Sequence, residues 1–323
     1  MAFLIGTDEA GYGPNLGPLV ISASVWQVPD AARGEDLYRR LGSAVCASIG
    51  ELGPGDDGRC VIADSKRVYL GGGGLKHLER TLSAAWAQLD RTPTTWCEAW
   101  RFQAPEAAAA LPAIPWYAGY DAPLPVDADT GTLPLAAERL RGCLAATGTR
   151  LLALVSRVVF PETFNSLLER FGTKGAVLTH QTLDLAAGLI RSLPGGPIAV
   201  LCDKHGGRNR YARSLADHFP DALVEIYTEG RAESLYRFGP ADRRVKFRFQ
   251  SGGEAHLPTA LASMQSKYLR ELAMRALNEF WCRHVPGLKP TAGYPVDSER
   301  FKRDIGGAQS ELGIDDRVLW RAR

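Results

Sequence analysis

Residues 3–18 read Phe-Leu-Ile-Gly-Thr-Asp-Glu-Ala-Gly-Tyr-Gly-Pro-Asn-Leu-Gly-Pro and run directly into Leu19-Val20-Ile21-Ser22-Ala23-Ser24-Val25. Phe3, Leu4 and Ile5 open a buried strand that meets two acids at Asp8 and Glu9. A turn rich in glycine and proline follows, and 19–25 is a second apolar run, so the pattern predicts an antiparallel hairpin. A strand ending in a carboxylate pair before a glycine turn exposes acids at a sheet rim. Adjacent carboxylates repel one another, a cost that bound cations remove. Mg2+ and Mn2+ take oxygen ligands, and phosphodiester hydrolysis by two such ions needs three or four carboxylates at one spot.

Outward from this hairpin, residues 36–50 have a helical pattern, and Asp64-Ser65-Lys66 leads through the glycines 71–74 into a helix around 75–90. Prolines at 93, 105, 112, 115, 123, 125 and 134, with an alanine run between them, predict an irregular insertion within about 84–148. A helix near 135–147, a strand at 151–159, a helical stretch from Pro161 and an amphipathic helix at 176–193 follow. The short apolar run 198–202 predicts a central strand that ends at Asp203. Helix is expected at 209–218 and strand at 223–227. Val245, Phe247 and Phe249 alternate with Arg244, Lys246 and Arg248, as on a two-faced strand. Pro258 suits the first position of a long helix reaching about Arg283. The class is α/β, a mixed sheet flanked by helices, with a catalytic domain at 1–250 and a helical C-terminal extension at 251–323.

The 323 residues carry a net charge of +2, 45% hydrophobic and 23% charged residues, the make-up of an ordinary globular protein. No apolar run nears the roughly 18–20 residues of a membrane span. The N-terminus lacks the basic start of a signal peptide, so a cytoplasmic location is expected. Six scattered cysteines form no C-x-x-C pair, which argues against a zinc site or a disulfide framework. With so small a net charge, nucleic acid would have to be held by local patches: Lys204, Arg208, Arg210 and Arg213, or Arg243, Arg244, Lys246 and Arg248. The glycines 11, 13 and 17 precede a strand where a dinucleotide fingerprint needs a helix. Those at 71–74 lack the Gly-Lys-Ser/Thr of a phosphate loop and suit a flexible turn.

The string from Gly6 to Pro18 closely resembles the signature of type 2 ribonucleases H, in which a strand ends in Asp-Glu before a Gly-x-Gly-Pro turn. Further matches come in the family's order. They are Asp64-Ser65-Lys66, the junction Val159-Phe-Pro-Glu-Thr-Phe-Asn165, the apolar strand ending at Asp203, Gly252-Gly-Glu-Ala255, Ala262-Ser-Met-Gln-Ser-Lys-Tyr-Leu-Arg-Glu271, and Gly293-Tyr294. All but about 84–148 is covered. The resemblance implies a ribonuclease H-like fold. It also implies metal-dependent cleavage of RNA in RNA–DNA hybrids, or at ribonucleotides embedded in duplex DNA, leaving 3′-hydroxyl and 5′-phosphate ends.

It further implies that Asp8, Glu9, Asp203 and Glu254 are the catalytic metal ligands, holding two Mg2+ or Mn2+ ions, with Gly11, Tyr12 and Gly13 along the ribose. Glu271 also matches an acidic position, but it lies about 20 Å along a helix starting at Pro258 and cannot share a metal pair with Glu254. A pair with Lys267 is expected instead. Lys66 is either a phosphate contact or half of a surface salt bridge, and Arg208 belongs to a bunch suited to phosphate. Tyr294 either stacks on a sugar or base or belongs to the core. Tyr12 stands where bacterial type 2 enzymes have arginine, and Glu254 where they have aspartate. Two alternatives remain: an inactive nucleic-acid-binding homologue, and a metal-dependent phosphotransferase or nucleotidase.

Overall fold

The computed structural model describes residues 1–32, 34, 36–53, 57–70 and 74–322. In chain order the elements are β1 (Ala2–Ala10), β2 (Leu19–Val28), α1 (Leu37–Arg40), β3 (Val45–Cys46), β4 (Cys60–Val61), α2 (Ser65–Leu70), α3 (Lys76–Ala87), α4 (Trp96–Gln103), α5 (Pro105–Ala110) and α6 (Leu133–Thr147). There follow β5 (Arg150–Val159), α7 (Pro161–Phe171), α8 (Lys174–Ser192), β6 (Ile198–Asp203), α9 (Ala212–His218), β7 (Glu225–Glu229), β8 (Glu233–Phe238), β9 (Val245–Gln250), α10 (Leu257–His284), α11 (Pro295–Glu311) and α12 (Asp316–Leu319).

A seven-stranded mixed sheet runs β5-β2-β1-β6-β9-β8-β7. The β1–β2 hairpin is antiparallel, with Asp8 opposite Ser22 and Glu9 opposite Ile21. β1, β6 and β9 are mutually parallel, so their C-terminal ends share one rim of the sheet. The expected central strand is thus in the middle, with its acid on that rim.

Each face of the sheet has its own core. On one, Leu4, Val20, Trp26 and Leu154 pack with Leu261, Met264 and Tyr268 of α10 and with Trp86, Trp96 and Trp100 from the insertion. On the other, Phe3, Ile5, Val200, Phe247 and Phe249 meet Leu183, Ala186 and Ile190 of α8. α10 can cross β1 closely because Gly6 has no side chain: a Cβ there would lie 2.0 Å from the carbonyl carbon of Pro258. Ser24 Oγ donates to Pro258 O at 2.7 Å and fixes the same first turn.

Several sequence expectations need correction. The helix expected over 36–50 is only the four residues of α1; Val45 and Cys46 instead pair in parallel with Cys60 and Val61. The proline-rich insertion is not irregular throughout: ahead of the expected helix, now α6, it contains α4 and α5. Thr95 caps α4 by accepting from Glu98 N, and Pro105 starts α5. Glu233–Phe238 is a strand that the sequence left unassigned, and α10 begins at Leu257, one residue before Pro258. Gly71, Gly72 and Gly73 of the expected flexible turn lie outside the described residues. Among the described residues no helix is long and apolar enough to cross a membrane.

Candidate active site

The parallel pairing of β1 with β6 decides the site. Thr7 pairs with Cys202, so Asp8 and Asp203 follow on neighbouring strand ends. After β9, opposite Asp203 at Gln250, the chain reverses at Gly252 with φ +73°. Gly253 then packs so closely on Asp203 that a Cβ would be 2.9 Å from its backbone nitrogen, and Gly253 N donates to Asp203 Oδ1 at 3.0 Å. This contact brings Glu254 to the rim.

Helix α10 supports the acids from below with hydroxyls, a feature the sequence reading did not assign. Ser263 Oγ lies 3.0 Å from both Glu254 Oε1 and Ser65 Oγ. Ser266 Oγ donates to Asp8 O at 3.0 Å and lies 2.8 Å from Ser22 Oγ, which lies 2.8 Å from Ser156 Oγ. Both serines fall within the quoted 262–271 motif, but only the docking of α10 on β1 shows which groups they meet.

The four acids feel one another. Asp8 is 7% exposed. Burial, then Glu9 and Glu254, push its carboxyl well above the usual range, against a lowering by Ser263. Burial and Asp203 raise Glu9 from 4.5 to about 7, with Lys66 opposing. Glu254 is raised by burial, by Asp64 and by Asp203, with Ser263 and Lys66 opposing. Lys66 is therefore a neighbour of the cluster, and its own side chain is exposed.

Among the described residues no three acidic, histidine or cysteine groups converge tightly enough to hold an ion as they stand. Asp203 is engaged by Gly253 N, and Glu254 by Ser263. The donor set is nevertheless all carboxylate, desolvated and mutually repelling. Those are the chemical conditions that a hard divalent cation satisfies.

One wall beside the acids is the glycine turn. Gly11 has φ +88°, and a Cβ there would fall 2.5 Å from Pro18 O and 3.0 Å from Arg270 Cδ. The Tyr12 hydroxyl lies where a Cβ on Gly206 would come within 2.7 Å, so the ring reaches the loop after Asp203. Burial and Glu9 raise the Tyr12 hydroxyl, and Arg208 opposes them. A Cβ on Gly13 would face Tyr294 Cε1 at 4.0 Å, and Tyr294 is 55% exposed, so it is not a core residue.

The loop after Asp203 behaves differently from its basic composition. Lys204 is buried, and Nζ donates to Asn209 Oδ1 at 2.7 Å and to Gly230 O at 2.5 Å. It is a structural anchor and not part of a phosphate patch. His205, also unassigned from the sequence, is buried with Nδ1 3.1 Å from Thr179 Oγ1, and burial lowers its pKa to about 3. Arg208 keeps a half-buried side chain, its guanidinium 6.0 Å from the Tyr211 ring centre. In the second basic bunch, Arg244 pairs with Glu225 at 3.2 Å and Arg248 with Glu233 at 2.8 Å. Glu271 bonds Lys267, as expected, and accepts from Tyr69 Oη at 3.4 Å, apart from the four acids.

No family model matches the sequence, and no curated protein matches it either. Solved structures similar to the chain are ribonucleases HII and HIII. The PCNA:RNase HII complex from Archaeoglobus fulgidus aligns at 15% identity and a TM-score of 0.44, over 99% of this chain and 94% of that one. Ribonuclease H2 from Pyrococcus horikoshii OT3 aligns at 14% and 0.42, over 98% and 92%. Bst-RNase HIII in complex with Mn2+ aligns at 14% and 0.39, over 99% and 66%.

Proposed function

We propose that the protein is a divalent-metal-dependent endoribonuclease of the type 2 ribonuclease H kind. It cleaves the RNA strand of RNA–DNA hybrids, or ribonucleotides embedded in duplex DNA, and leaves 5′-phosphate and 3′-hydroxyl ends. The observation that carries this is the grouping of Asp8, Glu9, Asp203 and Glu254 at one sheet rim, from the end of β1, the end of β6 and the turn after β9. These four carboxylates would hold two Mg2+ or Mn2+ ions, which supply an activated water and stabilise the departing 3′ oxygen.

The rest of the site serves position and charge. Gly11 and Gly13 let the turn's backbone come close to a ribose, as only residues without side chains allow. Tyr294, exposed beside Gly13, offers a ring for a sugar or base. Lys66 brings positive charge to Glu9 and Glu254, and Arg208 brings it to Tyr12, where both would meet the strand's phosphates. Ser263 keeps Glu254 hydrogen-bonded in place, and Ser266 holds the backbone of Asp8.

The test is cleavage of two labelled duplexes with Mg2+ or Mn2+, one with a single ribonucleotide and one a continuous hybrid. Cutting of either, abolished by EDTA, is the expected result, and the better substrate identifies what the Tyr12 turn accepts. Binding without cutting of either duplex would refute the nuclease and favour an inactive homologue.

A further inference from the structure

Two arginines lie beneath the glycine turn, and neither bonds a carboxylate among the described residues. Arg270, 4% exposed, donates to Leu16 O at 3.3 Å, Pro18 O at 3.1 Å and Ala292 O at 3.0 Å. Arg321, 2% exposed, donates from Nη2 to Pro14 O, while its Nε and Nη1 are buried with no partner among the described residues. The segment carrying Arg321 is itself clasped to the turn. Arg321 N donates to Asn15 O at 2.9 Å, and Leu16 forms an antiparallel bridge with Trp320. Asn165 holds this tail from the other side: Nδ2 donates to Trp320 O at 2.8 Å, and Oδ1 accepts from Ala322 N at 2.7 Å. The turn is also tied to the opposite wall, since Asn15 N donates to Gly293 O at 2.8 Å.

Burying a guanidinium among carbonyls, with two donors unsatisfied, is a poor way to stabilise a fold; an apolar side chain of the same length would be cheaper to bury. What the arginines provide is different. They draw the carbonyls of residues 14, 16 and 18 inward, away from a strand whose phosphates those oxygens would repel. They also place two positive charges behind the turn, and Arg270 links it to residue 292 beside Tyr294.

We propose that Arg270 and Arg321 are positioning residues, a buried guanidinium pair that fixes the 11–18 turn and its spacing from Tyr294, and so sets how the site takes its nucleic-acid strand. The proposal rests on the nuclease reading for its substrate, but the local order of the turn can be measured without it.

The test is Arg321→Met in the full chain, with Asn165→Ala as a second variant that loosens the clasp from outside. Three quantities are measured: thermal midpoint, amide hydrogen exchange of peptides covering 11–18, and kcat and KM on the hybrid cut best by the wild type. Arg321→Met removes two unsatisfied buried donors but also the bond to Pro14 O and the contact with the Phe164 ring, so a midpoint close to the wild type's is expected. Exchange at 11–18 should quicken, and KM should rise about tenfold with a much smaller change in kcat. Arg321→Lys should recover part of the KM. Unchanged KM with unchanged exchange would overturn the proposal, as would a lowered midpoint with KM unmoved, the mark of a purely structural residue. If the wild type cuts neither duplex, the nuclease reading has failed, and exchange alone decides: faster exchange in both variants sustains the positioning role, and unchanged exchange removes it.

Discussion

Glu9 gives the most direct test that the rim is a site of stored repulsion. In the folded protein its carboxyl titrates near 7 instead of 4.5, chiefly from burial and from Asp203. At about 1.36 kcal/mol for each tenfold change in proton affinity, that gap amounts to about 3 kcal/mol. The sign follows from proton binding: between 4.5 and 7 the folded state holds more of this proton than the unfolded chain, so rising pH costs stability through Glu9. His205 works the other way. Its neutral form is buried with a pKa of about 3 against 6.5, so it gains stability as pH rises between those values. Wild-type stability alone would therefore mix opposed slopes, with Asp8 and Glu254, also raised, adding to that of Glu9. The difference between Glu9→Gln and wild type removes His205 from the comparison. In urea unfolding with EDTA, the variant should match the wild type near pH 4.5 and exceed it by about 3 kcal/mol at pH 7. Adding Mg2+ or Mn2+ should narrow the gap by stabilising the wild type more. A difference independent of pH would show that Glu9 carries no such strain and would refute the shared charge cluster.

Asp203→Asn should cost more than the roughly 10–100-fold that losing a supporting partner of a metal site costs. Binding of the uncut duplex should stay within a few-fold; a variant with full activity would remove Asp203 from the site. Gly6→Ala should be severe, because the new Cβ meets the backbone of Pro258 at 2.0 Å and neither strand nor helix can yield. A loss beyond about 4 kcal/mol, or no soluble folded protein, is expected by circular dichroism melting, and a variant as stable as wild type would contradict the close crossing. Arg208→Ala should weaken duplex binding evenly across sequences and reduce the log–log salt slope by about one, measured by fluorescence anisotropy. An unchanged slope would mean that Arg208 touches no phosphate.

How much of this was legible in the sequence differs with the kind of contact. The hairpin, the central strand and the acids at 8, 9 and 203 follow from local patterns: an apolar run, its terminal carboxylate and a glycine turn. Strand pairing turned those positions into neighbours, and the parallel register of β1 and β6 does that directly. The serines at 263 and 266 stood inside a recognised motif but had no visible role, because a hydroxyl's partner depends on how α10 is rotated over β1. The basic bunch after Asp203 misled for a related reason. Composition counts Lys204 as a surface charge, whereas four oxygen acceptors turn its ammonium inward. Residues 36–50 failed at short range: only α1 forms, and the parallel partner of Val45 and Cys46 is supplied by a segment fourteen or more residues away.

Tyr12 links the departure from the signature that the sequence resembles to the geometry. The resemblance places an arginine at this point of the turn, and here the turn itself carries no charge. The Tyr12 ring instead crosses to Gly206, where the absence of a side chain makes room for its hydroxyl. That crossing brings the turn against the loop carrying Arg208, whose charge opposes the rise that burial and Glu9 impose on the tyrosine. Charge that the turn lacks is thus supplied from two residues beyond Gly206, while Arg270 and Arg321 add theirs from beneath. A cation on the turn's own side chain would be free to follow a moving phosphate. Cations on an anchored loop and a buried floor are not, because Lys204, His205 and the 320–322 tail hold both supports. Rigid supports favour one spacing between phosphate and ribose over others, so the exchange of arginine for tyrosine should narrow the range of duplexes accepted more than it lowers the rate on the preferred one.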